Sequence, residues 1–245
     1  MLTLFSEHMT FERNPKTVII CNSHLVKQEI LHFYPRTRQD RLIVVHNGVE
    51  WNEYEEPFQQ KLLAPKSLSS PPHLLFIGHE WKRKGLDRLL EALSFLKNEN
   101  FLLTVVGKEK HPEYFFDLAK KFHIQEKTRF YPTGQKSLPF YQTSQIAILP
   151  SRYDPFANVT LEAMAMGLYV ITTTANGGSE AIINHLNGII VDEYAPPSEL
   201  AEAIRAAFFV ATDSSRPETI RHSVRHYDFS LKLQQIISLL EEDEL

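Results

Sequence analysis

Ser151-Arg152-Tyr153-Asp154-Pro155-Phe156-Ala157-Asn158-Val159-Thr160-Leu161-Glu162-Ala163-Met164-Ala165-Met166-Gly167 follows the apolar run Ile146-Ala147-Ile148-Leu149. The apolar run reads as a strand buried on both faces. Pro155 ends the extended segment, and Leu161, Met164 and Ala165 form one apolar stripe at helical spacing. The amides of Asn158, Val159 and Thr160 are then expected at a helix N-terminus. Such an end carries partial positive charge and N–H donors, which suits a phosphate. Asp154 precedes that end and Glu162 lies about one turn inside it, so each carboxylate is placed to take sugar hydroxyls. By spacing alone, two acids near a helix start are better read as serving the helix dipole, since such pairs are common.

Outward from this stretch the chain alternates. Strands are expected at 74–77, 102–106, 129–131, 169–172 and 188–191, and helices at 86–96, 112–122, 138–141 and 198–210, with further helices to the end. Ahead of them come a β-prone run at 17–21, a cap at Asn22-Ser23, a helix to Tyr34, a strand at 41–45 and a turn at Asn47-Gly48. The polar, Pro- and Ser-rich stretch from Glu53 to Pro72 reads as a linker or crossing loop. Such alternation implies an α/β fold with a Rossmann-like, doubly wound parallel sheet, whose ligands bind at the carboxyl ends of the strands.

A length of 245 residues suits one large or two small domains, and 43% hydrophobic residues suffice for a core. A formal charge of −4 argues against a general nucleic-acid binder. The single cysteine, Cys21, excludes an internal disulfide framework and fits a reducing compartment. No signal peptide or membrane-spanning run is read, so a cytoplasmic location is expected, with peripheral attachment at the inner face of the cytoplasmic membrane as its variant.

A second constellation, Gly78-His79-Glu80-Trp81-Lys82-Arg83-Lys84-Gly85, joins a strand to a helix. Alone it is a solvated basic helix start. In register with the two carboxylates it becomes an anion clamp: guanidinium forks two phosphate oxygens, and ammonium acts as a point charge.

Asp154 to Asn158, Leu161 to Gly167 and then Gly177-Gly178-Ser179-Glu180 resemble the donor-binding motif of GT4 retaining glycosyltransferases of the GT-B fold. The lipopolysaccharide core glucosyltransferases are the likeness within that family. The family pattern is Glu, seven residues, Glu; this chain has Asp first, one methylene shorter. The resemblance implies transfer of a hexose from a nucleoside diphosphate sugar, with UDP-glucose expected, to a lipopolysaccharide-core or related glycan or lipid-linked acceptor. No cofactor or metal is expected. The leaving phosphate is expected to help deprotonate the acceptor.

By the same resemblance, Arg83, Lys84 and Asp154 are the catalytic set. Arg83 and Lys84 take the leaving-group charge, and Asp154 orients the sugar. The donor-binding set is Gly78, Thr133, Gly134, Phe156, Asn158, Val159, Thr160 and Glu162. Glu162 is assigned to the ribose, and the amides of Asn158 to Thr160 to the phosphates. The turn Tyr131-Pro132-Thr133-Gly134 either contacts the base edge or is an ordinary β-to-helix turn. Glu180 either contacts the donor or begins a helix with a favourable charge. His222 and His226 lack the further groups of a metal site, and Gly134-Gln135-Lys136-Ser137 lacks the leading glycine of a phosphate loop.

The expected division is 1–48 as the remnant of a GT-B N-terminal domain and crossover, 49–227 as the nucleotide-sugar-binding domain, and 228–245 as a helix returning to the N-terminal domain. The acceptor-binding domain of the family is expected ahead of residue 1. The alternative reading is a truncated donor-binding module or degenerate remnant, inactive unless a separate chain supplies that domain.

Overall fold

Strand order places the crevice. In the computed structural model, which describes residues 7, 9–13, 17–64, 71–131 and 136–242, β1 (Ile19–Cys21) pairs in parallel with β2 (Leu42–Val44). Between them runs α1 (His24–Phe33). A six-stranded sheet follows, made of β3 (His73–Ile77), β4 (Leu102–Val106), β5 (Thr128–Tyr131), β6 (Ile146–Leu149), β7 (Tyr169–Thr173) and β8 (Gly188–Val191). Its order is β5-β4-β3-β6-β7-β8 and every pairing is parallel. The chain builds outward from β3 to β5, then returns to start again at β6. The reversal leaves a crevice at the carboxyl ends of β3 and β6, where doubly wound sheets bind ligands.

The strands read from sequence are those found, and the central ones, β3, β6 and β7, are buried on both faces. Leu74, Leu75, Phe76, Ile146, Ala147, Ile148, Val170 and Ile171 are all fully buried. The helices packed around the sheet include α3 (Leu86–Ser94), α4 (Pro112–Lys121), α5 (Leu138–Thr143), α6 (Asn158–Ala165) and α7 (Pro197–Ala211). Next in the chain come α8 (Arg216–Ser223), which packs on α6, and α9 (Phe229–Glu242). In α3 the apolar stripe Leu86, Leu89, Leu90 and Leu93 is wholly inside.

One segment departs from expectation. The stretch from Glu53 read as a linker completes a short 3₁₀ turn at Trp51–Tyr54 and then forms α2 (Glu55–Leu63), which lies ahead of α3 in the chain. Phe58 and Lys61 are its buried residues, so its remaining polar face disguised it. The rest of the Pro- and Ser-rich stretch, 65–70, lies outside the described residues. At the other end, the start of α9 is tied to the crossover. The Val49 amide donates to Tyr227 O, and the Phe229 amide donates to Val49 O, both at 2.9 Å.

Candidate functional site

Both constellations meet at the crevice. The loop after β3 carries Arg83 and Lys84, and the loop after β6 carries Asp154. Gly85 fixes their distance: at φ +80° it lies so close to Pro150 that a Cβ would stand 2.0 Å from the Pro150 oxygen. Only glycine suits both the left-handed backbone and the approach. Further bonds lace the loops together. The Arg152 amide donates to Arg83 O at 3.0 Å. The Arg83 guanidinium donates to Tyr153 O at 3.0 Å, and Arg152 forks Asp87 at 2.7 and 2.9 Å.

Asp154 is buried, and its carboxylate pairs closely with the Lys84 ammonium. Arg83 Nη1 stands 3.6 Å from the same Asp154 oxygen. Arg83 is the more open cation, its side chain 39% exposed against 13% for Lys84. Gly78 begins this loop at φ +155°, with the aliphatic stem of Lys84 across it. Trp81, wholly buried, anchors the loop by donating from Nε1 to Gly78 O at 3.1 Å.

The loop from Asp154 to Ala157 is held from below by Asn176, a residue that carried no signal in the sequence. The Asn176 Oδ1 accepts from the amides of Ala157 (3.1 Å) and Gly178 (2.9 Å), and its Nδ2 donates to Thr172 Oγ1 at 2.8 Å. Gly177 lets its turn approach: a Cβ there would lie 2.0 Å from the Pro155 oxygen. The helix after this loop starts at Asn158, as expected. Asn158 is exposed and Val159 half-buried. Thr160 points inward: it is fully buried, and its amide donates to Ala157 O at 2.9 Å. Phe156 is also inside, packed against His46 with ring centroids 5.8 Å apart. Phe156 and Thr160 therefore support the site from beneath. Thr133 and Gly134 lie outside the described residues.

Glu162 has a partner the sequence did not reveal. The Tyr141 hydroxyl donates to Glu162 Oε2 at 2.7 Å. Burial pushes the Glu162 carboxyl above the usual range, the Tyr141 bond opposes this, and Glu53 adds to the rise. Burial and Glu162 together push the Tyr141 phenol far upward.

Glu180 faces the first sheet. It accepts from the amides of His24 (2.9 Å) and Leu25 (3.0 Å) at the start of α1, and from His46 Nε2 at 2.7 Å. Burial alone would raise the Glu180 carboxyl, but His46 and the two amides hold it below its ordinary value. Beside it, Ser23 caps Val26 and donates to Pro155 O at 2.7 Å, while Asn47 donates to Asn158 Oδ1 at 2.6 Å. His24, His46 and Glu180 offer ligand atoms within 4.8 Å of one another. The carboxylate is already engaged by helix amides and imidazole, the arrangement of a clamp between the first sheet and the motif loops.

The cations Arg83 and Lys84 beside the α6 N-terminus make a setting that suits an anion. The family profile "Glycosyl transferases group 1" matches residues 58–210. An uncharacterized glycosyltransferase of Methanocaldococcus jannaschii is 28% identical over 74% of this chain and 48% of its own length. The lipopolysaccharide glucosyltransferase WaaG of Escherichia coli is 27% identical over 90% of this chain and 60% of its own. The chain thus spans about half the length of the curated relatives it matches. Among solved structures, a glycosyltransferase from Rickettsia africae superposes with a TM-score of 0.83 at 24% identity, over 98% of this chain and 67% of that one. The structure of WaaG superposes with a TM-score of 0.76 at 25% identity, over 95% and 65%.

Proposed function

Because the chain belongs to the glycosyl transferases group 1 family, we propose that it is the donor-binding half of a retaining GT4 enzyme. That enzyme moves a hexose from a nucleoside diphosphate sugar, UDP-glucose first among candidates, to a lipopolysaccharide-core or related glycan acceptor. The fold is that of GT-B glycosyltransferases. The observation that carries the reading is the meeting of Arg83, Lys84 and Asp154 at the β3/β6 reversal, beside the N-terminus of α6.

In this reading the diphosphate lies between the two cations and the helix end. Negative charge grows on it as the glycosidic bond breaks, and Arg83 and Lys84 offset that charge. Asp154 holds a hydroxyl of the transferred sugar, and Glu162 the ribose hydroxyls. Residues 1–48, 49–227 and 228–245 act as N-terminal remnant with crossover, donor domain and returning helix. Among the described residues no helix is long and apolar enough to cross a membrane. We place the reaction in the cytoplasm, at the inner membrane face when the acceptor is lipid-linked.

A second reading is a truncated donor-binding module or degenerate remnant, in which these 245 residues bind donor but turn over only when an acceptor domain is supplied. The chain spans about half the length of the curated relatives it matches. A binding panel of UDP-, GDP- and ADP-sugars tests the donor claim. Uptake of UDP-glucose is expected, and uptake of none overturns it. Transfer to a truncated lipopolysaccharide core by the purified chain alone would exclude the second reading.

A further inference from the structure

We propose that Tyr141 is a positioning residue for Glu162, its hydroxyl holding one carboxylate oxygen so that the other faces the donor ribose. The inference rests on the reading of Glu162 as the ribose ligand. Tyr141 is fully buried, and a buried phenol needs a partner for its hydroxyl. It donates from α5 to Glu162 Oε2 on α6 at 2.7 Å, 21 residues along the chain.

The pair is held by a buried cation. The Lys61 ammonium donates to the carbonyl oxygens of Tyr141 (2.9 Å), Ser144 (2.7 Å) and Met166 (3.0 Å). These carbonyls sit at the C-terminal ends of α5 and α6, the negative poles of both helices. One charge thereby fastens the helix bearing the tyrosine to the helix bearing the glutamate. The Tyr54 ring packs edge-on to Tyr141, with centroids 6.4 Å apart. Packing gives no reason for an acid here, since a glutamine would accept the same hydrogen bond without the cost of burying charge. A carboxylate is useful where two ribose hydroxyls must be accepted while one oxygen stays fixed.

The groups that face Glu162 are Tyr141 from α5, and Tyr54 and Glu53 from the preceding 3₁₀ turn. Burial and Glu53 favour the protonated acid, and Tyr141 opposes them. Removing the hydroxyl both frees the carboxylate to rotate and lets it protonate at higher pH.

The test is calorimetry on the chain with UDP and with 2′,3′-dideoxy-UDP. Tyr141→Phe is expected to bind UDP about tenfold more weakly. It should bind the dideoxy nucleotide as the wild type does, and the acid limb of UDP binding should move upward in pH. In a Glu162→Ala background, which has no acceptor for the hydroxyl, the Tyr141→Phe effect should vanish. Equal losses for both nucleotides, or an unmoved acid limb, would overturn the inference while leaving the donor reading standing. Failure of the wild type to bind any nucleoside diphosphate would instead sink the donor reading. If Tyr141→Phe does not fold, 3-fluorotyrosine at position 141 keeps the hydroxyl. Its fluorine resonance should shift with UDP and not with the dideoxy form; no shift with bound UDP would overturn the inference.

Discussion

The Lys84 ammonium closes on the Asp154 carboxylate although 70 residues of chain separate them. The contact is built by the parallel sheet, which brings the loops after β3 and β6 to one crevice. It also sets two demands on the same residues. Asp154 is only 8% exposed in its side chain, so its charge needs a partner, while in the proposed function a donor diphosphate draws on the same cation.

Lys84→Ala should therefore cost stability as well as binding. Removing the ammonium leaves Asp154 with Arg83 at 3.6 Å, and breaking a largely buried pair costs about 3 kcal/mol. Asp154→Asn added to Lys84→Ala should recover part of that loss. Urea denaturation checks this. An unchanged midpoint for Lys84→Ala would show that the pair contributes little.

Gly85→Ala should be severe. The position has φ +80° and a Cβ would press 2.0 Å from Pro150 O. A destabilisation of at least about 2 kcal/mol is expected, with loss of UDP binding as the basic loop is displaced. A variant with native stability and native affinity would mean that the close approach is not needed.

The Glu180 clamp carries a pH dependence. Its carboxyl is held below the ordinary value of 4.5, despite burial, by His46 and the α1 amides. A depressed acid contributes stability that is present above its unfolded value and is lost as pH falls through its folded value. Glu180→Gln should thus cost about 1 kcal/mol at neutral pH. The deficit should shrink as pH falls from the ordinary glutamate range through the lowered value. Melting curves for both proteins across that interval decide it, and a deficit independent of pH would assign the effect to packing instead.

How far the sequence reached depended on the kind of signal. The strands at 74–77, 102–106, 146–149 and 169–172 were legible because double-sided burial demands continuous apolar runs, and the whole sheet followed. The basic loop and the two acids were legible as motifs. The helix Glu55–Leu63 was not, because Phe58 and Lys61 are its buried residues and Pro57 sits in its first turn. The partners Tyr141, Asn176 and His46 were also hidden. Their roles come from hydrogen bonds that reach across 21, 19 and 134 residues, which no local pattern encodes. Thr160 shows the converse: the helix start was read correctly, yet its amide is spent on the first turn.

The central claim is that Arg83 and Lys84, beside Asp154 and the α6 N-terminus, hold the donor diphosphate. Arg83 isolates it best, because it is the more open of the two cations and its removal leaves the close Lys84–Asp154 pair in place. UDP should be titrated calorimetrically into the wild-type chain and into Arg83→Ala. Binding on the order of micromolar is expected for the wild type, weakened at least about tenfold in the variant. Wild-type chain that takes up neither UDP nor another nucleoside diphosphate, or an Arg83→Ala chain that binds as tightly as wild type, would contradict the claim.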